Sequence, residues 1–136
     1  MENLDYNEVI ISHLKEVIPK VRAIWIFGSY QTKYYNRLSD IDIAFLAAKP
    51  VDNVFRWDVQ EGLAAKLHRD VDLVDLSAVS LVMKNEVTSK GKRIYCDNEN
   101  EILDYEILVL SQYLDFQETR KPLIEAILAR GSVYGN

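Results

Sequence analysis

The first half of the chain alternates amphipathic and apolar segments. Apolar positions at helical spacing predict a helix over Tyr6–Ile18, which Pro19 ends. The apolar run Arg22–Phe27 is short and is bounded by a proline and a glycine, which predicts a buried strand. Polar and apolar residues then alternate over Asp40–Leu46, and this pattern predicts a second strand.

The same alternation continues in the middle of the chain. A helix is predicted over Asn53–His68, with Asp52 or Asn53 as its cap. The run Val71–Leu76 predicts a third strand, and Ser77–Ser89 predicts a helix that ends at Gly91. The packing side of the Asn53–His68 helix is expected to carry Val54, Trp57, Val59, Leu63 and Leu67.

Helical spacing dominates the last part of the chain. Lys92–Cys96 predicts a short fourth strand, and Asn98–Arg130 predicts a long helical segment. Asn98 and Glu101 have the spacing of a capping box, and Pro122 is expected to interrupt the segment. The segment carries more apolar residues than one narrow packing stripe needs. Two interpretations stay open: the helix packs across its own domain, or part of it faces a partner or a second copy, giving a homo- or hetero-oligomer.

Strands that alternate with helices predict an α/β (α+β) fold, a small mixed sheet flanked by helices. The chain has 136 residues, which suits one domain over 1–136, with a core over about 22–97 and a C-terminal helical segment over about 98–130. No signal peptide and no membrane span is expected. The one cysteine, Cys96, cannot form an internal disulfide, which fits a cytoplasmic location.

Charge narrows the range of partners. The formal net charge is −5 at pH 7, and an acidic surface repels phosphate backbones, so broad nucleic-acid binding is not expected. A single nucleotide is still compatible with this charge, because it needs only a metal ion and a few basic groups.

Two motifs carry the candidate chemistry. Gly28 ends the first strand, where the missing Cβ allows the backbone to turn and approach a ligand closely. Ser29 then offers a hydroxyl and an amide to phosphate oxygens. Asp40 and Asp42 are two apart on a strand, so both carboxylates point to one face while Ile41 anchors the strand from the other. Carboxylate oxygens of this kind suit Mg²⁺ together with substrate phosphates.

A third carboxylate is expected from the third strand. Asp72 and Asp75 face opposite ways, so at most one of them joins Asp40 and Asp42. Asp72 is preferred because apolar neighbours flank it, whereas Asp70 shares its face but sits at the turn. Carboxylates 4 to 5 Å apart repel by about 3 to 4 kcal/mol per pair at a dielectric near 20, so such a cluster needs cations.

Taken together, Gly28-Ser29, Asp40-Ile-Asp42 and Val71-Asp72-Leu73 resemble the DNA polymerase β-like nucleotidyltransferase superfamily, over roughly residues 23–96. The short chain resembles its minimal nucleotidyltransferases (MNT), antitoxins that are often encoded beside a HEPN toxin. The resemblance implies that Gly28 and Ser29 hold ATP, that Asp40 and Asp42 bind metal, and that Asp72 is the third catalytic and metal-binding carboxylate.

The resemblance further implies an AMPylating antitoxin. It would transfer AMP from ATP, with Mg²⁺, to a hydroxyl of a partner HEPN ribonuclease, most plausibly a tyrosine, and so neutralise the toxin. The alternatives are a nucleotidyltransferase that modifies a small molecule such as an aminoglycoside, and a non-enzymatic antitoxin that acts by contact. An RNA- or tRNA-tailing enzyme is disfavoured by the acidic charge.

Other residues have less specific signals. Lys33 and Arg37 lie between the two motifs, where they either bind the triphosphate or are solvated loop charges. Both tryptophans, Trp25 and Trp57, are expected in the core, and His13 is expected to be structural or exposed.

Overall fold

Four strands and four α-helices follow one another in the computed structural model, which describes the backbone of residues 6–28 and 40–134 and the side chains through residue 130. A short 3-10 helix, Leu76–Ala78, precedes α3. The elements in chain order are α1 (Tyr6–Val17), β1 (Val21–Phe27), β2 (Ile41–Ala47), α2 (Asn53–Leu67), β3 (Val71–Asp75), α3 (Leu81–Lys90), β4 (Lys92–Cys96) and α4 (Glu99–Tyr134).

The described strands form one mixed sheet in the order β3-β2-β1-β4. β1 is antiparallel to both β2 and β4, whereas β2 and β3 are parallel and are joined through α2. The predicted mixed sheet flanked by helices is therefore confirmed. Because β2 and β3 are parallel, their first residues lie at the same end of the sheet, next to the last residues of β1.

Each face of the sheet carries its own buried cluster. The first face packs under α1 and α2, and its cluster includes Ile24, Ile41, Ile43, Phe45 and Leu73. The second face packs under α3 and α4, and its cluster comprises Ala23, Trp25, Phe27, Ala44, Leu76, Val87 and Ile102. Side chains alternate along β2, so Asp42 lies on the second face with Ala44.

One side of α2 differs from the prediction. Val59, Leu63 and Leu67 are buried as expected, but Val54 and Trp57 are 69% and 55% exposed. At 3.6 residues per turn, these two residues point about 140 to 160° away from Val59, so they cannot share its packing side. The prediction that Trp57 belongs to the core was wrong, and the prediction for Trp25, which is fully buried, is confirmed.

Two other expectations are corrected. The helix predicted from Ser77 begins at Leu81, because Asp75 and Ser80 each cap a separate helix and divide the segment between them. Pro122 lies inside α4 without ending it. A proline removes one backbone hydrogen bond, and the many bonds on either side maintain this 36-residue helix. The cap at Asn98 is confirmed, since its Oδ1 accepts from the Glu101 amide at 3.0 Å.

His13 is the buried polar side chain between α1 and α2. Its Nε2 donates to the Val59 carbonyl oxygen at 3.1 Å, and a Cβ at Gly62 would lie 3.2 Å from the imidazole, so glycine makes room for the ring. Nδ1 is buried without a hydrogen-bond partner among the described residues. Burial lowers the pKa of His13 below its ordinary value of 6.5, because desolvation disfavours the charged imidazolium.

We expect the free energy of unfolding to fall as the pH is lowered through 6.5. The unfolded chain takes up the imidazole proton at a higher pH than the folded chain does, so His13 costs stability below that value, by at most about 1.4 kcal/mol per pH unit. Urea unfolding of the wild type and of His13→Phe between pH 5 and 7.5 measures the difference. Parallel pH profiles for the two proteins would contradict this assignment.

Candidate active site

The structure brings Asp42 and Asp72 side by side. In the parallel register of β2 and β3, Asp42 is the direct partner of Asp72. Neighbouring strands are about 4.8 Å apart, and paired residues of parallel strands face the same side. Asp42 is half-buried and Asp72 is exposed, so the pair lies at the rim of the second face with Asp72 toward solvent.

Gly28 lies against the Asp42 carboxylate at the end of β1. Phe27 pairs with Asp42 across the antiparallel β1–β2 ladder, and Gly28 follows it with a φ of +79°. This left-handed conformation is open to glycine at little cost. A Cβ at Gly28 would overlap the Asp42 carboxylate, with the Asp42 Cγ 3.2 Å away. The position therefore needs glycine both for its backbone conformation and for its contact with Asp42.

Asp40 precedes β2 and is exposed. Its charge still acts on Asp42. Burial raises the pKa of Asp42, and the neighbouring charges of Asp72 and Asp40 raise that pKa further. Like charges disfavour one another's ionised form, so the part of the rise caused by Asp72 and Asp40 reflects a local excess of negative charge. The three aspartates predicted from the sequence thus interact electrostatically in the fold.

These residues suit a divalent cation whose remaining ligands come from the substrate and from water. Within residues 6–28 and 40–134, no three carboxylate, imidazole or thiol groups are arranged to hold a metal ion by themselves. Mg²⁺ usually takes only one or two protein carboxylates and obtains its other ligands from water and substrate phosphates. The raised pKa of Asp42 and the close approach of Gly28 to its carboxylate fit such a site.

Asp75 has a different role from Asp72. It is buried, and its carboxylate accepts hydrogen bonds from the Val51 amide at 3.1 Å and from the Ser77 amide and hydroxyl at 3.0 and 2.7 Å. These bonds fasten the two loops at the end of the sheet opposite the Asp42–Asp72 pair. Asp70 is exposed just before β3, and its carbonyl oxygen accepts from the Ile41 amide at 3.0 Å.

Two α2 side chains hold β3 beside Asp72, and the sequence pattern did not reveal them. Arg56 Nη1 donates to the Leu73 carbonyl oxygen at 2.8 Å, and Gln60 Oε1 accepts from the Leu73 amide at 2.9 Å. β3 is an edge strand of the described sheet, and these bonds occupy backbone groups that would otherwise face outward. Helical spacing places Arg56 and Gln60 one turn apart, but only the fold shows that both meet one residue of β3.

Other predicted nucleotide ligands, Ser29, Lys33 and Arg37, lie outside the described residues. Within the described part of the chain, no helix has both the length and the apolar character needed to cross a membrane.

Most of the chain matches a known protein family and a named relative. Residues 8–100 match the family model described as Polymerase beta, Nucleotidyltransferase. The chain is 39% identical over 129 residues to the protein adenylyltransferase MntA of Shewanella oneidensis, covering 95% of this chain and 91% of that protein.

Two solved structures show the same fold. A chain of a toxin–antitoxin crystal structure with AMP-PNP superposes with a TM-score of 0.80 at 38% identity, covering 90% of this chain and 98% of that one. A chain from the complex of tri-AMPylated Shewanella oneidensis HEPN toxin with MNT antitoxin gives a TM-score of 0.78 at 36% identity, with 94% and 99% covered. On the strength of the matched residues and these relatives, the chain belongs to the polymerase β nucleotidyltransferase family.

Proposed function

We propose that this protein is an antitoxin that transfers AMP from ATP to a tyrosine hydroxyl on a partner HEPN ribonuclease toxin and thereby neutralises it. Family membership supports the nucleotidyl transfer. The protein acceptor is supported by the relative named protein adenylyltransferase MntA and by the structural neighbour with a tri-AMPylated HEPN toxin. Since ATP and an intracellular ribonuclease are the reactants, we place the reaction in the cytoplasm.

The observation that carries the site assignment is the register of β2 and β3. It sets Asp42 against Asp72, with Gly28 closed over the Asp42 carboxylate. We assign Asp40, Asp42 and Asp72 as the catalytic and metal-binding carboxylates. Gly28 and Ser29 are assigned to the triphosphate, and Lys33 and Arg37 are secondary candidates for phosphate contacts. Mg²⁺ bound here would neutralise the carboxylates and the triphosphate charge.

The chemistry follows from these positions. The acceptor hydroxyl oxygen forms a bond to the α-phosphorus of ATP while the bond from that phosphorus to the pyrophosphate oxygen breaks. The hydroxyl proton passes to a carboxylate, a role that we assign to exposed Asp72. Half-buried Asp42 is supported from behind by the core residues of β2, so its carboxylate is held in position before substrate arrives.

The modification would block the toxin by charge and bulk. An AMP group adds a negative phosphodiester and a nucleoside to the hydroxyl, and a negative group near a ribonuclease centre repels the RNA backbone. An antitoxin that acts by contact alone would have no use for Asp42, whose carboxylate is disfavoured by burial and by two neighbouring charges. That cost favours the enzymatic proposal over the contact-only alternative.

We expect the purified protein with Mg²⁺ and ATP to add AMP units to the HEPN-type protein encoded beside it. Asp40→Asn/Asp42→Asn should lower the transfer rate at least 100-fold, because both changes remove charge while keeping side-chain size. Intact-mass spectrometry of the partner measures the added mass, and circular dichroism verifies that the variant is folded. An unmodified partner whose ribonuclease is inhibited equally by wild type and variant would instead establish inhibition by contact.

Asp72→Asn and Asp75→Asn should have opposite effects. The first should reduce AMP transfer at least 100-fold and leave the melting temperature unchanged or slightly raised, since Asp72 is exposed and its charge repels that of Asp42. The second should lower stability by about 1 to 3 kcal/mol, because a buried acceptor of three hydrogen bonds is altered, while the folded fraction keeps its activity. Paired melting curves and single-turnover rates test this; a reversed pattern would mean that the wrong β3 aspartate is assigned.

Gly28→Ala should destabilise the protein through its contact with Asp42. The methyl group strains the left-handed backbone by about 1 to 2 kcal/mol and also displaces the Asp42 carboxylate. In an Asp42→Ala background the second effect disappears, so the cost of Gly28→Ala should be smaller there. Urea unfolding of the four proteins of this cycle gives the coupling energy. Equal costs in the two backgrounds would show that Gly28 and Asp42 do not meet.

A further inference from the structure

The first five turns of α4 are strongly acidic. Residues 99–118 contain six carboxylates and no lysine or arginine. Three of the carboxylates hold the helix to its own sheet: Glu99 and Glu106 bind Arg93, and Glu101 binds Arg22. The other three, Asp104, Asp115 and Glu118, are exposed and have no ion-pair partner among the described residues.

The outward side of the same turns is apolar. Ile102 and Val109 are buried against the domain, whereas four other apolar residues follow one another at spacings of four, three and four and share a helix face. We call this set the outer α4 stripe; its members are Leu103, Ile107, Leu110 and Leu114, each 44 to 54% exposed. A row of exposed aliphatic residues along about three turns is typical of a face that docks another protein.

The charges beside the stripe select the kind of partner. Two copies of this chain that met through their stripes would bring Asp104, Asp115 and Glu118 of each into one interface, where like charges repel. A basic protein surface would instead be attracted. A protein that binds RNA must present such a surface, because most of its affinity comes from contacts with phosphates. The rest of α4 is not acidic, since Arg120, Lys121 and Arg130 there outnumber its one acidic residue, Glu125.

The position of α4 suits delivery of an acceptor. Trp25 on β1 anchors the helix by donating from Nε1 to Glu106 at 2.9 Å, and Tyr105 packs against the Trp25 ring. Trp25 belongs to the second face of the sheet, the face on which Asp42 and Asp72 lie. A protein docked on α4 is therefore held on the same side of the sheet as the carboxylates.

We propose that the outer α4 stripe, together with Asp104, Asp115 and Glu118, is the docking surface for the basic, RNA-binding toxin, separate from the carboxylate site that modifies it. The identity of this partner rests on the proposed function; the apolar and acidic character of the surface does not. Docking through α4 would hold the acceptor hydroxyl near the site for several successive transfers.

The test is a binding measurement that is independent of AMP transfer. Ile107→Gln/Leu110→Gln removes the apolar centre of the stripe, and glutamine is a good helix former, so the helix should be retained. The matched control is Val54→Gln/Trp57→Gln, which removes two apolar residues that are more exposed still, from α2 on the other face of the sheet. Titration calorimetry with the toxin, without ATP, should show at least tenfold weaker binding for the α4 variant and unchanged binding for the control. Both variants should bind Mg²⁺-ATP as the wild type does.

A charge variant supplies a second arm that leaves the stripe intact. Asp104→Asn/Asp115→Asn/Glu118→Gln should slow association with the toxin and flatten its dependence on salt between 50 and 300 mM NaCl, as measured by stopped-flow fluorescence.

Each outcome separates this proposal from the proposed function. If the α4 variant binds the toxin as tightly as the wild type, or if the α2 control loses as much affinity, α4 is not the docking surface. If the wild type sediments as a dimer that Ile107→Gln/Leu110→Gln converts to a monomer, a second copy covers the stripe and the proposal fails. If binding depends on α4 but no AMP is transferred, docking stands and the proposed function falls.

Discussion

Electrostatic repulsion between neighbouring carboxylates is the constraint around which this fold is arranged. The parallel register of β2 and β3 holds Asp42 directly beside Asp72, with the charge of Asp40 close by. The two neighbouring carboxylates repel each other, and this cost is borne whenever the chain folds without a cation. Packing elsewhere must therefore hold the strands in register against the repulsion.

That packing comes from the opposite face of the sheet. Ile41 and Ile43 flank Asp42 along β2, and both are fully buried under α1 and α2. Arg56 and Gln60 fix β3 through both backbone groups of Leu73, the residue after Asp72. The same helix that connects the two strands thus prevents them from sliding or parting. Stability is concentrated behind the carboxylates, while the face that carries Asp42 and Asp72 retains a repulsion that a bound cation would relieve.

The sequence predicted the strands and the aspartate pairing partner well, because both depend on local alternation. An apolar residue before and after Asp72 indicates which way that side chain points. The role of Asp75 was not predictable, since its three donors come from Val51 and Ser77, and Val51 is far away in the chain. Trp57 was misplaced because large apolar residues usually lie inside, whereas the angular position of Trp57 on α2 puts it outside. The sequence therefore identified the type of each element, but it did not identify the contacts that depend on the tertiary fold.

The long helix α4 both packs against the sheet and presents an acidic and aliphatic surface to solvent. Its inner side is bound to the sheet by Trp25, Arg22 and Arg93, so its orientation relative to the carboxylates is fixed by contacts that are polar and directional. Because those arginines neutralise only the carboxylates at the inner side, the remaining acidic groups face solvent beside an aliphatic stripe. A site that must modify a macromolecule needs a rigid relation between chemistry and recognition. In this chain the β1–α4 contacts supply that relation, which makes Trp25 and Arg93 as important for geometry as the aspartates are for the proposed chemistry.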